Sequence, residues 1–353
     1  MAINITPYLK LMIEKSGSDL YFTPASPPRM KVDGKMASVG AEPLTPEICR
    51  EVVLSIMDEE QAAFFNKNLE IDFAISLGEE GRFRVNAFHQ KGKAAMVLRY
   101  IRSKVPVLED LKAPEILKDL IMTKRGLLLM VGGTGSGKST TLAAMIDHRN
   151  ANSSGHILTI EDPVEFMHPH KRCIINQREV GPDTHSYHNA LKSSLREAPD
   201  VILIGEIRDR ETMEAALELA GTGHLAISTL HANNAYQAMN RIINMFPQAM
   251  HKQLFMDLSL YLRAVISQRL VPSLDGKRRA AVEVMVNTPH IAERILKGEI
   301  DEIREAIASS TERGMQSFET ALYNLYKEGV ISLEEALNHA DSKANLEAKV
   351  HFG

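Results

Sequence analysis

Four short segments carry side chains able to handle a nucleoside triphosphate. Gly132-Gly133-Thr134-Gly135-Ser136-Gly137-Lys138-Ser139 has the spacing G-x-x-x-x-G-K-[ST], with the apolar run GLLLMV before it and the helical pattern TTLAAMIDH after it. That strand, loop and helix order is the context in which such a loop cradles phosphate. Its glycines let backbone N–H groups converge on one point, and the helix N-terminus adds its dipole. Lys138 then spans the β- and γ-phosphates, the Ser139 hydroxyl ligates Mg²⁺, and Thr140 reaches the α-phosphate.

Three further segments end or bracket apolar runs. In Thr159-Ile160-Glu161-Asp162-Pro163-Val164-Glu165, three carboxylates fall within five residues. They follow a strand, at the edge where ligands of α/β sheets bind. Such a cluster holds a metal or its waters; a solvated acidic turn stopped by proline is the plainer alternative. Asp200-Val201-Ile202-Leu203-Ile204-Gly205-Glu206 reads as a buried strand finishing in Glu206. Gly205 stands where a metal-binding Asp is expected, so Glu206 is read as the general base, with the metal left to Ser139, phosphate oxygens, water and Glu161. Last, Gly221-Thr222-Gly223-His224 opens an apolar strand that Ser228-Thr229-Leu230-His231 closes. No Cys or third His lies at ligand spacing, which argues against zinc. Beside three phosphate-site segments, His224 and His231 are candidates to sense the γ-phosphate.

These residues need elements to position them. GLLLMV, HILTI, VILIG and HLAIST are short apolar runs separated by helical stretches, the pattern of a doubly wound α/β domain with a parallel sheet. Residues 115–286 form this domain, and 287–353 read as amphipathic helices extending it. Before it, 1–102 read as a small α+β unit: a helix over 5–16 with Thr6 as N-cap and Pro7 at N1, a hairpin at Asp33-Gly34, a helix over 46–66 and three alternating strands before residue 102. Two prolines and a lost alternation mark a linker at 103–114.

The 353 residues suit two domains, and 44% hydrophobic with 24% charged residues is the composition of a globular protein. A net charge of −4 gives no overall attraction to nucleic acid or anionic lipid, leaving only the basic tripeptide Lys277-Arg278-Arg279, a solvated loop in the plainer reading. Cys49 and Cys173 form no Cys-x-x-Cys pair, so no disulfide framework or zinc ribbon is expected. No run of 18 apolar residues and no signal-peptide pattern occurs, which points to the cytoplasm and to membrane contact only through protein partners.

Taken in order, GGTGSGKS, TIEDPVEF, LIGEIRDRETMEAALELAGTGH and STLHANNA resemble the Walker A, Asp-box, Walker B and His-box segments of the secretion ATPases. The likeness extends to RFRVNAF and SDLYF near the N-terminus. It implies a PAS-like N-terminal domain, a RecA-like ATPase domain, and a homo-hexamer that hydrolyses Mg-ATP at the cytoplasmic face of the inner membrane. It further implies catalytic roles for Lys138, Glu161, Asp162, Glu206, His224 and His231, and arginine fingers at Arg84 and Arg99, with Arg82 and Arg102 as neighbours able to take that role. Without a larger N-terminal region or a four-cysteine module, the chain resembles the type IV pilus retraction branch. That implies an inner-membrane platform protein as partner. The segment Asn287-Thr288-Pro289 followed by HIAERILKGE departs from the PilT-like pattern toward the PilU-like one, which adds a second retraction ATPase as partner. A nucleotide-responsive accessory protein and a nucleic-acid translocase are the competing functions.

Overall fold

The structure is a computed structural model describing residues 4–32, 34–78, 80–101 and 105–352. The chain forms two compact units, Met1–Lys104 with Glu165–Met167, and Val105–Val164 with His168–Gly353.

In the first unit, β1 (Asp19–Phe22), β2 (Arg29–Val32), β3 (Lys35–Ser38), β4 (Glu70–Leu77), β5 (Gly81–Gln90) and β6 (Lys93–Ile101) form a sheet in the order β3-β2-β1-β6-β5-β4. Every pairing is antiparallel. Alternation along β5 buries Phe83, Val85 and Ala87 on one face and leaves Arg82, Arg84 and Asn86 half-buried on the other. Helices Thr6–Glu14, Pro46–Leu54 and Glu59–Asn68 pack Leu9, Met12, Val52, Val53 and Phe65 into the core with the buried side of the sheet. Thr6 lies inside the first helix and not at its cap, because the Asn4 side chain accepts from the Thr6 N–H at 3.0 Å. The helix expected over 46–66 is two. Asp58 breaks it by starting a new one, its Oδ1 accepting from Gln61 N at 2.8 Å while Gln61 Oε1 accepts from Asp58 N at 3.2 Å. Val32 pairs with Lys35 and Gly34 has φ +79°, a hairpin geometry; Asp33 lies outside the described residues.

The second unit contains β7 (Gly126–Val131), β8 (Gly155–Glu161), β9 (Cys173–Glu179), β10 (Val201–Ile204), β11 (Leu225–Leu230), β12 (Leu262–Pro272) and β13 (Arg278–Val286). They run in the order β13-β12-β7-β11-β10-β8-β9, parallel throughout except for the β12–β13 hairpin. Apolar clusters cover both faces, which is why β7, β10 and most of β11 are buried. β9, β12 and β13 are additions to the strands read from the sequence. Their patterns mix polar residues such as Asn176, Gln268 and Glu283 into the apolar run, and the structure gives two of these, Gln268 and Glu283, buried partners.

The segment read as a linker is packed over its described part. Leu108 is buried with Leu117, Leu120 and Ile121, and residues 105–114 belong to the second unit; 103–104 lie outside the described residues. Beyond β13 the described residues form helices Pro289–Lys297, Ile303–Ala308, Phe318–Lys327, Leu333–His339 and Lys343–Phe352 and no further strand. Phe318, Leu322, Ala336 and Leu346 gather against Val271 and Ala281 of the hairpin.

Candidate nucleotide site

The parallel strands deliver their following loops to one edge of the second sheet. The loop after β7 begins at Gly132, where a Cβ would stand 2.5 Å from Ser136 Oγ and 2.6 Å from the Gln268 carbonyl oxygen, so no other residue fits. Gly137 has φ +85° and caps the helix Lys138–Asn152 without any side-chain bond, so the first N–H groups of that helix face the loop. Lys138 arches back over the loop, its Nζ 2.9 Å from the Gly132 oxygen and 3.0 Å from the Gly133 oxygen. Ser136 Oγ is buried with no hydrogen-bond partner. An unpartnered hydroxyl, glycine-only curvature and a bare helix N-terminus together fit an anion. The Ser139 hydroxyl, half-buried at the start of the helix, suits a hard cation bound beside phosphate; among the described residues no group of three His, Cys, Asp or Glu side chains could hold a metal by itself.

Gln268 of β12 braces this loop. Its Nε2 donates to the Ser136 oxygen at 2.8 Å, and its Oε1 accepts from Thr141 Oγ1 at 2.8 Å. Sequence reasoning passed over it; the signal was a lone amide following the apolar residues Ala264-Val265-Ile266 and a serine. A cavity of about 350 Å³ opens beside the loop, lined by Gly137, Thr140, Thr141, Gln268 and Leu270 and by Lys277, Arg278 and Arg279. The basic tripeptide thus lines the same cavity as the P-loop flank, with Lys277 and Arg278 exposed to solvent.

At the neighbouring strand ends, β10 stops at Ile204, so Glu206 stands two residues beyond the strand that was expected to include it. Its carboxylate is held on both oxygens: Arg208 Nε is 2.8 Å from Oε2 and His231 Nε2 is 3.3 Å from Oε1. His231 follows β11, and Arg241 donates to its backbone oxygen at 2.9 Å. The structure therefore brings Glu206 and His231 together. Glu161 closes β8 and accepts from Thr159 Oγ1 at 2.7 Å, with Asp162 next in the chain. Gly205 has a steric reason to be glycine: a Cβ there would come within 2.7 Å of the Tyr187 hydroxyl and 3.2 Å of the Glu161 Cα. The space an aspartate would need is taken by Tyr187, another residue that sequence reasoning missed. Burial first, and then the nearby Asp162 carboxylate, push the Tyr187 phenol well above its ordinary range, so it remains a neutral donor among the carboxylates.

His224 is not brought to this edge. It precedes β11, whose first residue pairs with Gly126 at the start of β7, and so sits at the amino edge, roughly 20 Å from His231 at ~3.3 Å per residue. There its Nδ1 lies 3.2 Å from Thr222 Oγ1 and 3.3 Å from the Leu219 oxygen.

In the first unit, Arg84 and Arg99 are directly opposite each other on β5 and β6 and share the open face of the sheet. Arg99 Nε binds the buried Asp19 carboxylate at 2.8 Å, and Arg84 Nε lies 3.7 Å from Asp72. Arg82 is on the same face of β5; Arg102 lies outside the described residues.

The model of the family described as "Type II/IV secretion system protein" matches residues 2–345. The chain belongs to this family. It is 56% identical over 98% of its length to the type IV pilus ATPase PilU of Pseudomonas aeruginosa, covering 91% of that protein. It is 41% identical over 97% of its length to the retraction ATPase PilT of the same organism, covering all of it. A crystal structure of the pilus retraction motor PilT with bound ADP superposes with a TM-score of 0.92 at 40% identity, over 98% of this chain and 99% of that one. The chain is accordingly an ATPase of the secretion family. It resembles the pilus retraction ATPases, that PilU more than that PilT, and has their architecture of an N-terminal domain, an ATPase domain and a helical C-terminal region. Among the described residues no helix is long and apolar enough to cross a membrane.

Proposed function

We propose that the protein is a hexameric motor that hydrolyses Mg-ATP to power or assist type IV pilus retraction from the cytoplasmic face of the inner membrane. The observation that carries this reading is the meeting of the P-loop, the doubly held Glu206 and His231 at one sheet edge, in a chain so similar to PilU and PilT. Gly132–Thr140 bind the triphosphate, Lys138 spanning its β- and γ-phosphates. Ser139, with the Glu161 and Asp162 carboxylates at and just beyond the end of β8, would hold Mg²⁺, which would supply positive charge against the phosphates. Glu206 accepts the proton of the attacking water, and His231 and Arg208 fix the carboxylate for that transfer. Arg84 and Arg99 serve as arginine fingers, as the family resemblance implies; wild-type turnover in both Arg84→Ala and Arg99→Ala would remove them from that role. The ring acts on an inner-membrane platform protein and works beside a second retraction ATPase.

An accessory role without hydrolysis is the alternative. A chromosomal Glu206→Gln allele compared with a gene deletion separates the two. A motor loses twitching motility in both strains, whereas a nucleotide-responsive scaffold tolerates the allele.

A further inference from the structure

Three consecutive residues of β12, Ser267, Gln268 and Arg269, are polar and largely buried in the middle of the second unit. Side chains alternate along a strand, so Gln268 points one way, to the P-loop, while Ser267 and Arg269 point the other way. That other side carries the loop between His231 and the helix Ala235–Asn244. Ser267 Oγ donates to Glu283 Oε1 at 3.1 Å, and the same oxygen accepts from Ala235 N at 2.8 Å. Arg269 donates to the Asn233 oxygen at 3.0 Å and to the His339 oxygen at 2.6 Å, and it forms an ion pair with Asp341. Asp341 also accepts from Asn234 Nδ2 at 2.6 Å, and the Arg269 guanidinium stacks 3.9 Å above the Phe318 ring. Every residue from Asn233 to Ala235 is thus tied to β12, β13 or the C-terminal helical region.

We propose that Arg269 and Asp341 are positioning residues for hydrolysis: the C-terminal segment His339–Asp341 is a latch, acting through the Arg269 fork, that keeps the loop bearing His231 on Glu206. The inference rests on the reading of Glu206 and His231 given above. Only an arginine can serve the fork, because it must meet the Asn233 and His339 carbonyls and the Asp341 carboxylate at once while placed over the Phe318 ring, which a lysine ammonium cannot do. Without Asp341, the Asn234 amide and the Arg269 fork lose their shared partner and the loop gains conformers. Contacts to the phosphates are untouched, since Gln268 braces the P-loop from the opposite face. The loss therefore falls on kcat and not on KM for ATP.

The test is a double-mutant cycle on the full-length protein, with steady-state ATPase as readout and melting temperature as control. Asp341→Ala is expected to lower kcat on the order of tenfold with KM within about twofold. Arg269→Lys is expected to do the same, and Asp341→Asn, which keeps one acceptor oxygen but turns the other into a donor facing Arg269 or the Asn234 amide, to recover only part of the rate. In a His231→Ala background, Asp341→Ala is expected to cost nothing further, because its effect passes through that side chain. Full additivity, a KM rise in step with a lowered melting temperature, or wild-type kcat in Asp341→Ala beside a slow His231→Ala would each overturn the latch. Wild-type turnover in His231→Ala itself would overturn the reading of the site, and the latch with it.

Discussion

The two edges of the parallel sheet hold similar inventories of polar residues and use them differently. At the amino edge the groups close on one another: Asp200 Oδ2 accepts from His156 N at 2.8 Å, His156 Nε2 reaches Asn176 Oδ1 at 2.9 Å, and His224 stays with Thr222 and Leu219. At the carboxyl edge the Ser136 hydroxyl has no partner, the helix Lys138–Asn152 has no side-chain cap, and carboxylates stand at the end of β8 and just beyond β10. Parallel strands bring every following loop and helix N-terminus to one edge. Histidines at the two ends of one strand therefore differ in chemistry because of where they stand.

His231→Ala should cut turnover by roughly 10²-fold, the lower end for a lost acid–base partner, while His224→Ala should stay within about twofold of wild type. Equal losses in steady-state assays would break the comparison and give His224 a function across a subunit boundary.

A smaller effect concerns the buried carboxylate beneath the His231 loop. Burial raises Glu283 to about 7, against the hydrogen bonds from Ala235 and Ser267 that lower it. The folded chain holds a proton there that the unfolded chain releases, so this stabilisation is complete below the usual carboxylate range and is lost as pH rises through about 7. Glu283→Gln keeps an acceptor oxygen and never ionises. Its stability should gain on wild type by up to ~3 kcal/mol between about pH 5 and 8, read from denaturant melts. Parallel pH profiles for the two proteins would contradict this.

The phosphate loop and the parallel strands were legible because their signals are local: a spacing rule, and apolar runs that only two-sided burial explains. The pairing of Glu206 with His231 was legible only as a list of candidates. The meeting of one strand end with the next is set by the order β11-β10-β8, which no local pattern carries. Gln268, Arg269 and Tyr187 were illegible for the same reason, since their partners are distant in sequence. Thr6 and the helix over 46–66 were misread where a neighbouring side chain, Asn4 or Asp58, captured a backbone N–H first.

The central claim is that Glu206 activates water and does not bind the triphosphate. Nucleotide binding and single-turnover hydrolysis measured side by side on Glu206→Gln test it most directly. ATP affinity within a few-fold of wild type, with turnover down roughly 10²–10⁴-fold, is the predicted result. Loss of affinity in proportion to loss of turnover would contradict it and move Glu206 to the metal.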